Sequence, residues 1–203
     1  MLISGAEERE FFVWVDPKNF LIQHNLGLIG GFSGGPMEAG QDTPDYLQFV
    51  PNPNVLPGFL SPFHNGVIRQ YRVEYNLEMF RFRNFPTHPS RLHAIYLLDT
   101  RESADEYRNT HPEHVDGRIL KRAVTQGGYK FSRHDANWID FLRLDNMKDQ
   151  ATFDECHQRY WLGESVKEHN FMHLGAPWQA NSVMEILFYG RLSFPDRGLA
   201  QDD

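Results

Sequence analysis

Two residues of the sequence place a chemically useful side chain inside an apolar segment. Glu185 stands near the start of the segment SVMEILFYGRLSF, and Tyr96 lies within the run HAIYLLD. A carboxylate among the apolar residues of a strand lies either on the solvent side of a sheet edge or in a cleft, because burying an unpaired charge is costly. In a cleft, Glu185 is a candidate for electrostatic or acid–base catalysis. The residues alone leave both positions of Glu185 open.

The histidines and the single cysteine favour structural roles over metal binding or nucleophilic catalysis. The chain has ten histidines, but no HxxxH or HExxH pair falls on a predicted helix. His111 and His114 flank Pro112 in a polar stretch, which is typical of solvated side chains. Cys156 lies within a predicted helix and has no identifiable base, which indicates a structural thiol. We therefore expect no metal ion in this protein.

Composition indicates one globular domain that spans residues 1–203. Apolar residues make up 40% of the chain and aromatic residues 14%, which is enough to build a core. The net charge of −7 argues against a protein that binds nucleic acid mainly through phosphate contacts. A single cysteine favours a reducing compartment, and the acidic N-terminus lacks a signal peptide. No apolar run is long enough to span a bilayer. We expect a soluble cytoplasmic protein without a membrane partner, although signal-independent secretion would leave no trace in the sequence.

The first 63 residues combine a βα unit with a long loop. Residues 9–15, REFFVWV, are aromatic and β-branched and predict a strand. Asp16 and Pro17 predict the N-cap and the first position of a helix that ends at Gly27. Residues 30–63 are rich in glycine, proline and asparagine. We interpret them as a loop, which is either a functional lid or an insertion.

Residues 69–80, RQYRVEYNLEMF, predict a strand because apolar and polar side chains alternate along them. The run LHAIYLL predicts a further strand, which leads directly into the helix TRESADEYRN. Asp99 and Glu102 have the spacing of a capping box at the start of that helix. This strand and this helix are therefore joined by almost no loop.

The C-terminal half predicts two strands and two helices. GRILKRAV and SVMEILFYGRLSF are β-rich, whereas DANWIDFLRL carries apolar residues at helical spacing. TFDECHQRYWLG has Thr152 and Glu155 at capping-box positions and Gly163 as a helix stop. Alternation along the last strand puts Glu185 on the same face as Leu187.

Three segments, in this order, resemble the signature segments of the ADP-ribosyltransferase superfamily, which includes the poly(ADP-ribose) polymerases and the mono-ADP-ribosylating toxins. FFVWVDPKNFLIQHNLGL resembles the family's opening strand and helix. AIYLLDTRESADEY resembles the strand with a central tyrosine that leads into a Ser-Ala-x-x-Tyr helix. MEILFYGRLSF resembles the terminal strand that opens with the catalytic glutamate. The resemblance implies an α+β fold, a split pair of mostly antiparallel sheets with helices on the flanks, and NAD bound in the cleft between the sheets.

The resemblance also assigns roles to particular residues. It implies that Tyr96 stacks on the nicotinamide ring of NAD, because an aromatic face suits a planar cation. It implies that Glu185 is the catalytic residue, which binds the nicotinamide ribose and stabilises the positive charge that develops there. Asn19 in the first segment and Ser103 in the second are the cofactor-binding residues that it adds.

The first motif departs from the family pattern. Where family members carry a histidine or an arginine that holds the adenine-side ribose, this sequence has VWV around Trp14. We expect Trp14 to contact NAD. Either another residue takes over the ribose contact, with Arg91 after the residues HPS as the candidate, or NAD binding is altered or lost. A catalytically silent binding module on the same scaffold therefore stays an alternative.

The function that the resemblance implies is that of a mono-ADP-ribosyltransferase, a soluble toxin or effector of bacterial or phage origin. NAD is the co-substrate, and the negative net charge favours a protein acceptor over a nucleic acid. An NAD glycohydrolase would use the same pocket with water as the acceptor. An inhibitory protein, such as an antitoxin, is a further expected partner. Four residues are second-tier candidates, with structural roles favoured over acceptor contacts: Asp135, Trp138, Tyr160 and Trp161.

Overall fold

An antiparallel six-stranded sheet and six α-helices make up the described part of this α+β protein. A computed structural model describes residues 1–35, 52–55, 62–144, 149–173, 175–178 and 182–198. The strands of the sheet are β1 (Leu2–Gly5), β2 (Glu10–Val15), β3 (Gly31–Gly34), β4 (Ile95–Leu97), β5 (Ile119–Asp135) and β8 (Met184–Ser193), while β6 (Met172–His173) and β7 (Ala176–Pro177) form a separate hairpin. The helices are α1 (Phe20–His24), α2 (Pro62–Asn84), α3 (Arg101–Thr110), α4 (Pro112–Val115), α5 (Asn137–Arg143) and α6 (Gln150–Leu162). None of the helices within these ranges is long and apolar enough to cross a membrane.

The two long strands β5 and β8 form the centre of the sheet. They pair with each other, β1 and β2 pair with the outer edge of β5, and β3 and β4 pair with the outer edge of β8. The register between β5 and β8 shifts between Gln126 and Lys130, where Gly127 has a φ of 72°. Glycine adopts this left-handed conformation without steric strain. The irregularity divides the sheet into two halves, one edged by β2 and β3 and the other by β1 and β4.

The sheet curls back on itself where β4 ends. β2 pairs with β5, β5 with β8 and β8 with β4, and the residue after β4 returns to β2. There Phe12 and Leu98 exchange backbone hydrogen bonds of 2.9 and 2.8 Å. The core on this side is aromatic, since Phe11 packs edge-on against Phe131 and Phe188 with ring centroids 5.3 and 5.8 Å apart. All three rings are fully buried, and this first core fixes β8 against β2 and β5.

A second core lies between the opposite face of β8 and three helices. Leu187 packs there with Leu77 of α2, Trp138 of α5 and Trp161 of α6, and all four side chains are fully buried. The neighbouring Ile186 belongs to the first core, as alternation along a strand requires. The odd-numbered side chains near the start of β8 therefore face the helices.

Most of the elements predicted from the sequence are confirmed. The strand predicted at residues 9–15 corresponds to β2, the run LHAIYLL contains β4, and the terminal segment forms β8. The helices predicted for DANWIDFLRL and TFDECHQRYWLG correspond to α5 and α6. Strand β5 is longer than GRILKRAV predicts, because the segment KFSRHD continues it and pairs with β1 and β8.

The strand predicted at residues 69–80 is wrong, because this segment belongs to the 23-residue helix α2. Its sequence is rich in strong helix formers such as arginine, glutamate, leucine and methionine. Alternation is misleading here because part of the inward face of the helix is polar. Glu78 and Arg81 are each 1% exposed and form an ion pair of 2.8 Å across one helical turn. Such a stripe interrupts the apolar 3.6-residue period on which helix prediction depends.

The first helix begins and ends at residues other than those predicted. Asn19, not Asp16, is the N-cap of α1, and its side chain accepts hydrogen bonds from the backbone of the first turn. Asp16 instead accepts a backbone hydrogen bond of 2.8 Å in the preceding turn. The helix does not end at Gly27, because it widens into a π-helical segment, Asn25–Ile29. It ends at Gly30, whose φ of 74° is typical of a helix C-cap.

The capping box of α3 is formed by Thr100 and Ser103, not by Asp99 and Glu102. The hydroxyl of Thr100 accepts a hydrogen bond of 3.1 Å from the Ser103 backbone, and the hydroxyl of Ser103 accepts one of 3.1 Å from the Thr100 backbone. Asp99 has a different partner, because Arg133 on β5 donates to its carboxylate at 2.6 Å. The strand–helix junction therefore lies one residue further along the chain than predicted.

In α6, the stop predicted at Gly163 is confirmed and the predicted cap is wrong. Gly163 has a φ of 77°, the left-handed conformation that ends many helices. The N-cap is Asp149, whose carboxylate accepts a hydrogen bond of 2.7 Å from the Thr152 backbone. Thr152 is thus the residue that is capped, and Glu155 binds Arg159 at 2.7 Å instead of closing a capping box.

Only part of the loop predicted at residues 30–63 lies within the described residues. Gly31–Gly34 form β3, Pro53–Val55 form a 3₁₀ turn, and α2 begins at Pro62, so these parts are not loop. Residues 36–51 and 56–61 lie outside the described residues. The lid or insertion therefore stays a prediction for those two stretches.

Asp135, at the end of β5, is a buried acceptor that ties three segments together. Its carboxylate accepts hydrogen bonds from the backbone N–H groups of Asn137, Val166 and Val183 at 3.0, 3.0 and 3.2 Å. The hydroxyl of Ser182 donates another at 2.8 Å. Asp135 is fully buried, so these donors take the place of water. The carboxylate joins the start of α5, the 3₁₀ turn that precedes β6 and the approach to β8.

We expect Asp135→Ala to lower the free energy of unfolding by roughly 3 to 5 kcal/mol, because several buried N–H donors lose their acceptor. Urea unfolding followed by tryptophan fluorescence measures this change. Asp149→Ala, which removes the exposed N-cap of α6, is the control and should have a smaller effect. A loss at Asp135 no larger than the loss at Asp149 would contradict the role assigned to Asp135.

Candidate functional site

A cleft of about 580 Å³ opens beside the start of β8, bordered by β2, β4 and helices α3 to α5. Its volume falls in the range of sites that bind small molecules. Trp14, Arg91, Tyr96 and Glu185 all line it, and the sequence predicts a functional role for each of them. A larger groove of about 870 Å³ between α2 and α6 contains none of these residues. The cleft is therefore the candidate site.

Tyr96 and Glu185 meet because of the register between β4 and β8. Tyr96 is paired with Leu187, and Glu185 precedes Leu187 by two residues. Residues paired across two antiparallel strands, like residues two apart along one strand, point to the same face of a sheet. The Tyr96 side chain is 41% exposed, although its hydroxyl donates a hydrogen bond of 2.7 Å to the backbone carbonyl of Arg91. The ring is thus accessible from the cleft while its polar atom is fixed.

The carboxylate of Glu185 is held by one of its two oxygens. Oε1 accepts a hydrogen bond of 2.6 Å from the hydroxyl of Tyr160 and a charged hydrogen bond from Nη1 of Arg91. Nη1 of Arg91 also donates to the Tyr160 hydroxyl at 2.7 Å, so the three groups form a closed triangle. Within the described ranges, Oε2 of Glu185 has no hydrogen-bond partner. The triangle therefore orients the carboxylate and leaves Oε2 available to a ligand.

Arg91 joins two carboxylates. Its Nε and Nη2 donate to the two oxygens of Glu74 on α2 at 2.7 and 3.2 Å, while its Nη1 faces Glu185. The backbone next to it is fixed by a hydrogen bond of 2.7 Å from the Ser90 N–H to the hydroxyl of Tyr189 on β8. Arg91 is only 7% exposed, so charged hydrogen bonds take the place of water around its guanidinium. Strand β8 thus holds the turn that carries Arg91 and also carries its partner Glu185.

Burial and charge together shift the pKa values of this cluster. Burial raises the pKa of Glu185, and the positive charge of Arg91 and the hydrogen bond from Tyr160 oppose that shift. Burial also raises the pKa values of Tyr96 and Tyr160, so both phenols stay protonated. Burial opposes the charge of Arg91, but Glu185 and the neighbouring groups outweigh it and raise its pKa well above the ordinary value. Arg91 is therefore a permanent cation that compensates the half-buried carboxylates of Glu74 and Glu185.

The end of the cleft that α3 and α4 border contains three stacked rings from α3, α4 and the residue between them. Tyr107 lies over His111 and His111 over His114, with ring centroids 5.0 and 5.3 Å apart. The prediction of a solvated side chain is wrong for His111, which is 16% exposed and lies 3.3 Å from the carboxylate of Asp140. Arg118 lines this end without an ion pair to any described residue. No three His, Cys, Asp or Glu side chains of the described ranges are grouped so that they could hold a metal ion.

Two of the predicted cofactor-binding residues lie away from the cleft. Asn19 is exposed, and its side chain caps α1. Ser103 caps α3 and borders a separate depression beside Asp99 and Arg133. The geometry does not bring either side chain to Glu185. Short polar side chains at the start of a helix commonly serve the backbone in this way, and a local motif does not distinguish that use from ligand binding.

Among the four second-tier residues, Tyr160 reaches the site and the other three are structural. Trp138 and Trp161 are fully buried, and their indole N–H groups donate to backbone carbonyls at 2.7 and 3.1 Å. Asp135 binds buried backbone donors, as described above. Tyr160 stacks on His134 with centroids 4.5 Å apart and directs its hydroxyl at Glu185.

Sequence reasoning misses two charged residues of the site, Glu74 and Arg143. Arg143 donates to the Glu74 carboxylate at 3.3 Å, the same carboxylate that binds Arg91. Glu74 lies in the segment that alternation predicts as a strand, where it counts as a solvent-facing residue. On a helix, Glu74 and Glu78 are one turn apart and Arg81 follows another turn later, which marks a single face. This helical spacing of charged residues is the sequence signal that could identify Glu74 as a residue of the site.

The chain belongs to a protein family of unknown function, DUF2441, whose family model matches residues 50–174. Among curated proteins, none matches this chain. The matched region contains Arg91, Tyr96 and Tyr160, whereas Glu185 follows it. The family description carries no activity, so a functional proposal has to rest on the site itself and on the sequence motifs.

We expect Tyr160→Phe to lower the free energy of unfolding by about 1 to 2 kcal/mol and to raise the pKa of Glu185 further, because a hydrogen bond to the carboxylate is lost. The bond acts on the ionised form of Glu185. The loss of stability should therefore be largest above the pKa of Glu185 and should shrink as the pH falls through it. Urea unfolding at a series of pH values and NMR titration of Glu185 measure the two effects.

Tyr129→Phe is the matched control, because it removes a hydroxyl that donates to the exposed Glu7 at 2.7 Å. This control should leave the pKa of Glu185 unchanged. If Tyr160→Phe also leaves that pKa unchanged, the triangle of Arg91, Tyr160 and Glu185 does not exist in solution.

Proposed function

We propose that the protein is a mono-ADP-ribosyltransferase, a glycosyltransferase that moves ADP-ribose from NAD to a protein acceptor and releases nicotinamide. One observation carries this proposal: the Tyr96 side chain and the Glu185 carboxylate lie on one face of neighbouring strands, inside a single cleft. The resemblance of three sequence segments to the ADP-ribosyltransferase superfamily selects the same two residues.

The arrangement of the strands supports the superfamily fold as part of this proposal. The ladder between β5 and β8 is irregular near Gly127, and the strands on either side of this point form two antiparallel halves. The resemblance implies a split pair of mostly antiparallel sheets with flanking helices. The sheet halves and helices of this chain agree with that arrangement in outline.

The chemistry of the cleft suits NAD. The exposed part of Tyr96 offers an aromatic surface to a planar, cationic nicotinamide ring. Where α3 borders the cleft, Trp14 and the stack that begins with Tyr107 offer aromatic surface for an adenine ring. Arg118, which has no ion pair to a described residue, offers a positive charge to a phosphate group. Each part of NAD therefore finds a group of matching chemistry.

Arg91 takes a role different from the adenine-side ribose contact considered from the sequence. Its guanidinium lies against Glu185, and we therefore assign it to the nicotinamide end of a bound NAD. There it orients the carboxylate through Oε1, together with Tyr160. Arg91 and Tyr160 are therefore positioning residues, and the adenine end is left to Trp14, Arg118 and the ring stack.

Glu185 would act through its charge. When the bond between ribose C1′ and the nicotinamide nitrogen breaks, the bonding electrons leave with nicotinamide and positive charge develops on the ribose. A carboxylate that is already oriented stabilises this charge without a reorganisation cost, and its free Oε2 can accept a hydrogen bond from a ribose hydroxyl. A nucleophilic group of the acceptor then bonds to C1′ and releases its proton to solvent.

A second candidate, a catalytically silent NAD-binding module, is favoured by one observation. The positive charge of Arg91 is paired directly with Glu185, which weakens the field that the carboxylate exerts on a developing cation. A site that only binds NAD does not need the full negative charge of Glu185, so its pairing with Arg91 costs such a site no function. An NAD glycohydrolase differs from the transferase only in its acceptor, which is water.

Nicotinamide release from NAD by the purified protein, alone and with cell lysate, tests the proposal. We expect Glu185→Gln to lower release by about 10²- to 10³-fold, because the variant keeps the size and polarity of the side chain but loses its charge. Glu113→Gln is the matched control, since Glu113 lines the same cleft, is exposed and takes no part in the triangle of Arg91, Tyr160 and Glu185. This control should retain release.

Calorimetric titration with NAD, read together with the release assay, distinguishes the transferase, the glycohydrolase and the silent binding module. Release that requires lysate supports a transferase with a specific acceptor, whereas equal release without lysate points to a glycohydrolase. Binding of NAD without release under either condition supports the silent module. A wild-type protein that neither binds NAD nor releases nicotinamide rules out all three.

A further inference from the structure

The groove of about 870 Å³ between α2 and α6 is a second site with its own chemistry. Gln70 of α2 lines the cleft and Glu74 binds the cleft residue Arg91, whereas Arg72, Asn76 and Arg83 line the groove. At 3.6 residues per turn, these two sets lie on nearly opposite sides of the helix. Helix α2 thus separates two sites, and a ligand in the groove does not compete with one in the cleft.

Arg72 is a half-buried cation without a counter-ion. Its Nη2 donates to the backbone carbonyl of Pro53 at 3.3 Å, and its Nε is buried with no hydrogen-bond partner among the described residues. It forms no ion pair within those residues, in contrast to Arg81 and Arg91 on or near the same helix. An uncompensated charge and an unsatisfied donor both raise the free energy of the folded protein. A bound anion would remove part of this cost.

Arg83 supplies a second positive charge on the same wall and has no ion pair within the described part of the chain. It follows Arg72 by 11 residues, which is close to three full turns, so the two side chains project from the same side of α2. At a rise of 1.5 Å per residue, their positions along the helix differ by about 16 Å. The groove therefore presents two positive charges at a defined separation.

The lining of the groove also contains apolar and carboxamide groups. Phe80 and Phe153 contribute aromatic surface, and Asn76, Asn84 and Gln158 contribute carboxamides. Asn76 is already hydrogen-bonded to Asn54, and Asn84 donates to the Phe80 carbonyl, so each offers only its remaining hydrogen-bonding capacity. A carboxamide both donates and accepts hydrogen bonds, as the backbone of an extended peptide does. This combination suits a polypeptide segment that lies along the groove with an apolar side chain turned inward.

The acidic residues on the opposite wall are partly compensated within the protein. Glu155 is paired with Arg159 at 2.7 Å, whereas Asp154 accepts a hydrogen bond of 2.9 Å from the neutral Gln150 and keeps its charge. Arg72 and Arg83 on the α2 wall have no ion-pair partner in the described residues. The larger share of unpaired charge in the groove is therefore positive and lies on α2.

We propose that this groove binds an extended, acidic segment of a partner protein, in which two carboxylates four or six residues apart pair with Arg72 and Arg83. Successive side chains of an extended chain point to opposite faces, so only an even separation turns both carboxylates toward the arginines. At about 3.3 Å per residue, separations of four and six residues span about 13 and about 20 Å, which bracket the separation of about 16 Å along α2. A helical segment would need carboxylates about 11 residues apart to span the same distance.

Fluorescence anisotropy with a series of labelled dodecapeptides tests this site. The peptides share one leucine and differ only in the separation of two glutamates, from two to eight residues, and a peptide with glutamines in their place is the reference. We expect the tightest binding at a separation of four or six residues, and weaker binding at the odd separations, which turn the two glutamates to opposite faces. Arg83→Gln, at an exposed position where folding is not at risk, should weaken that binding about tenfold, and Arg72→Gln should weaken it at least as much.

Arg118→Gln is the matched control, because it makes the same change in the cleft and should leave peptide binding unchanged. The experiment contains no NAD, so its result is independent of the proposed activity. Binding no tighter than that of the glutamine peptide, binding without dependence on glutamate spacing, or equal binding to the Arg83→Gln variant would each overturn the proposal. Tighter binding of a twelve-nucleotide single-stranded DNA than of any peptide would assign the groove to nucleic acid instead.

Discussion

The buried guanidinium of Arg91 is the interaction on which the candidate site depends. It lies between Glu74 on α2 and Glu185 on β8, and it also contacts the hydroxyl of Tyr160 on α6. A buried ion pair contributes little net stability, because desolvation offsets the attraction, but an arrangement that separates the partners leaves uncompensated charge and is costly. Two helices and the central strand can therefore pack favourably only where these groups meet. In that packing, the start of β8 becomes a wall of the cleft.

The same interaction determines what the carboxylate of Glu185 can do. A carboxylate near apolar residues is stabilised in its neutral form by burial, and the positive charge of Arg91 opposes that tendency. The compensation uses one oxygen, so Glu185 keeps both a fixed orientation and one free acceptor. The positive charge of Arg91 that stabilises the Glu185 carboxylate also reduces the negative charge that Glu185 can exert on a substrate. How much of that charge remains distinguishes an active enzyme from a silent binding module.

Local patterns predict strands β2, β4 and β8 and the two residues of interest, and non-local packing decides the rest. Tyr96 and Glu185 stand out because each interrupts an apolar strand. Their meeting depends on the register between β4 and β8, which no local pattern contains. Helix caps are displaced by one to three residues, because neighbouring Asp, Asn, Thr and Ser residues compete for the same role. The contact between Tyr160 and Glu185 joins α6 to β8, and local sequence motifs do not show which residues of separate elements meet.

Helix α2 shows why a polar interior is hard to predict and what it makes possible. An ordinary core helix has one apolar stripe, whereas α2 has a buried ion pair, a carboxylate that binds the cleft residue Arg91 and two arginines that line the groove. The alternation that predicts a strand at residues 69–80 arises because polar side chains occupy both sides of the helix. On the cleft side of α2, the carboxylate of Glu74 is paired with Arg91 and Arg143, which fixes the geometry of a site for a small molecule. On the groove side the arginines have no ion-pair partner among the described residues, and the proposed acidic segment would supply one.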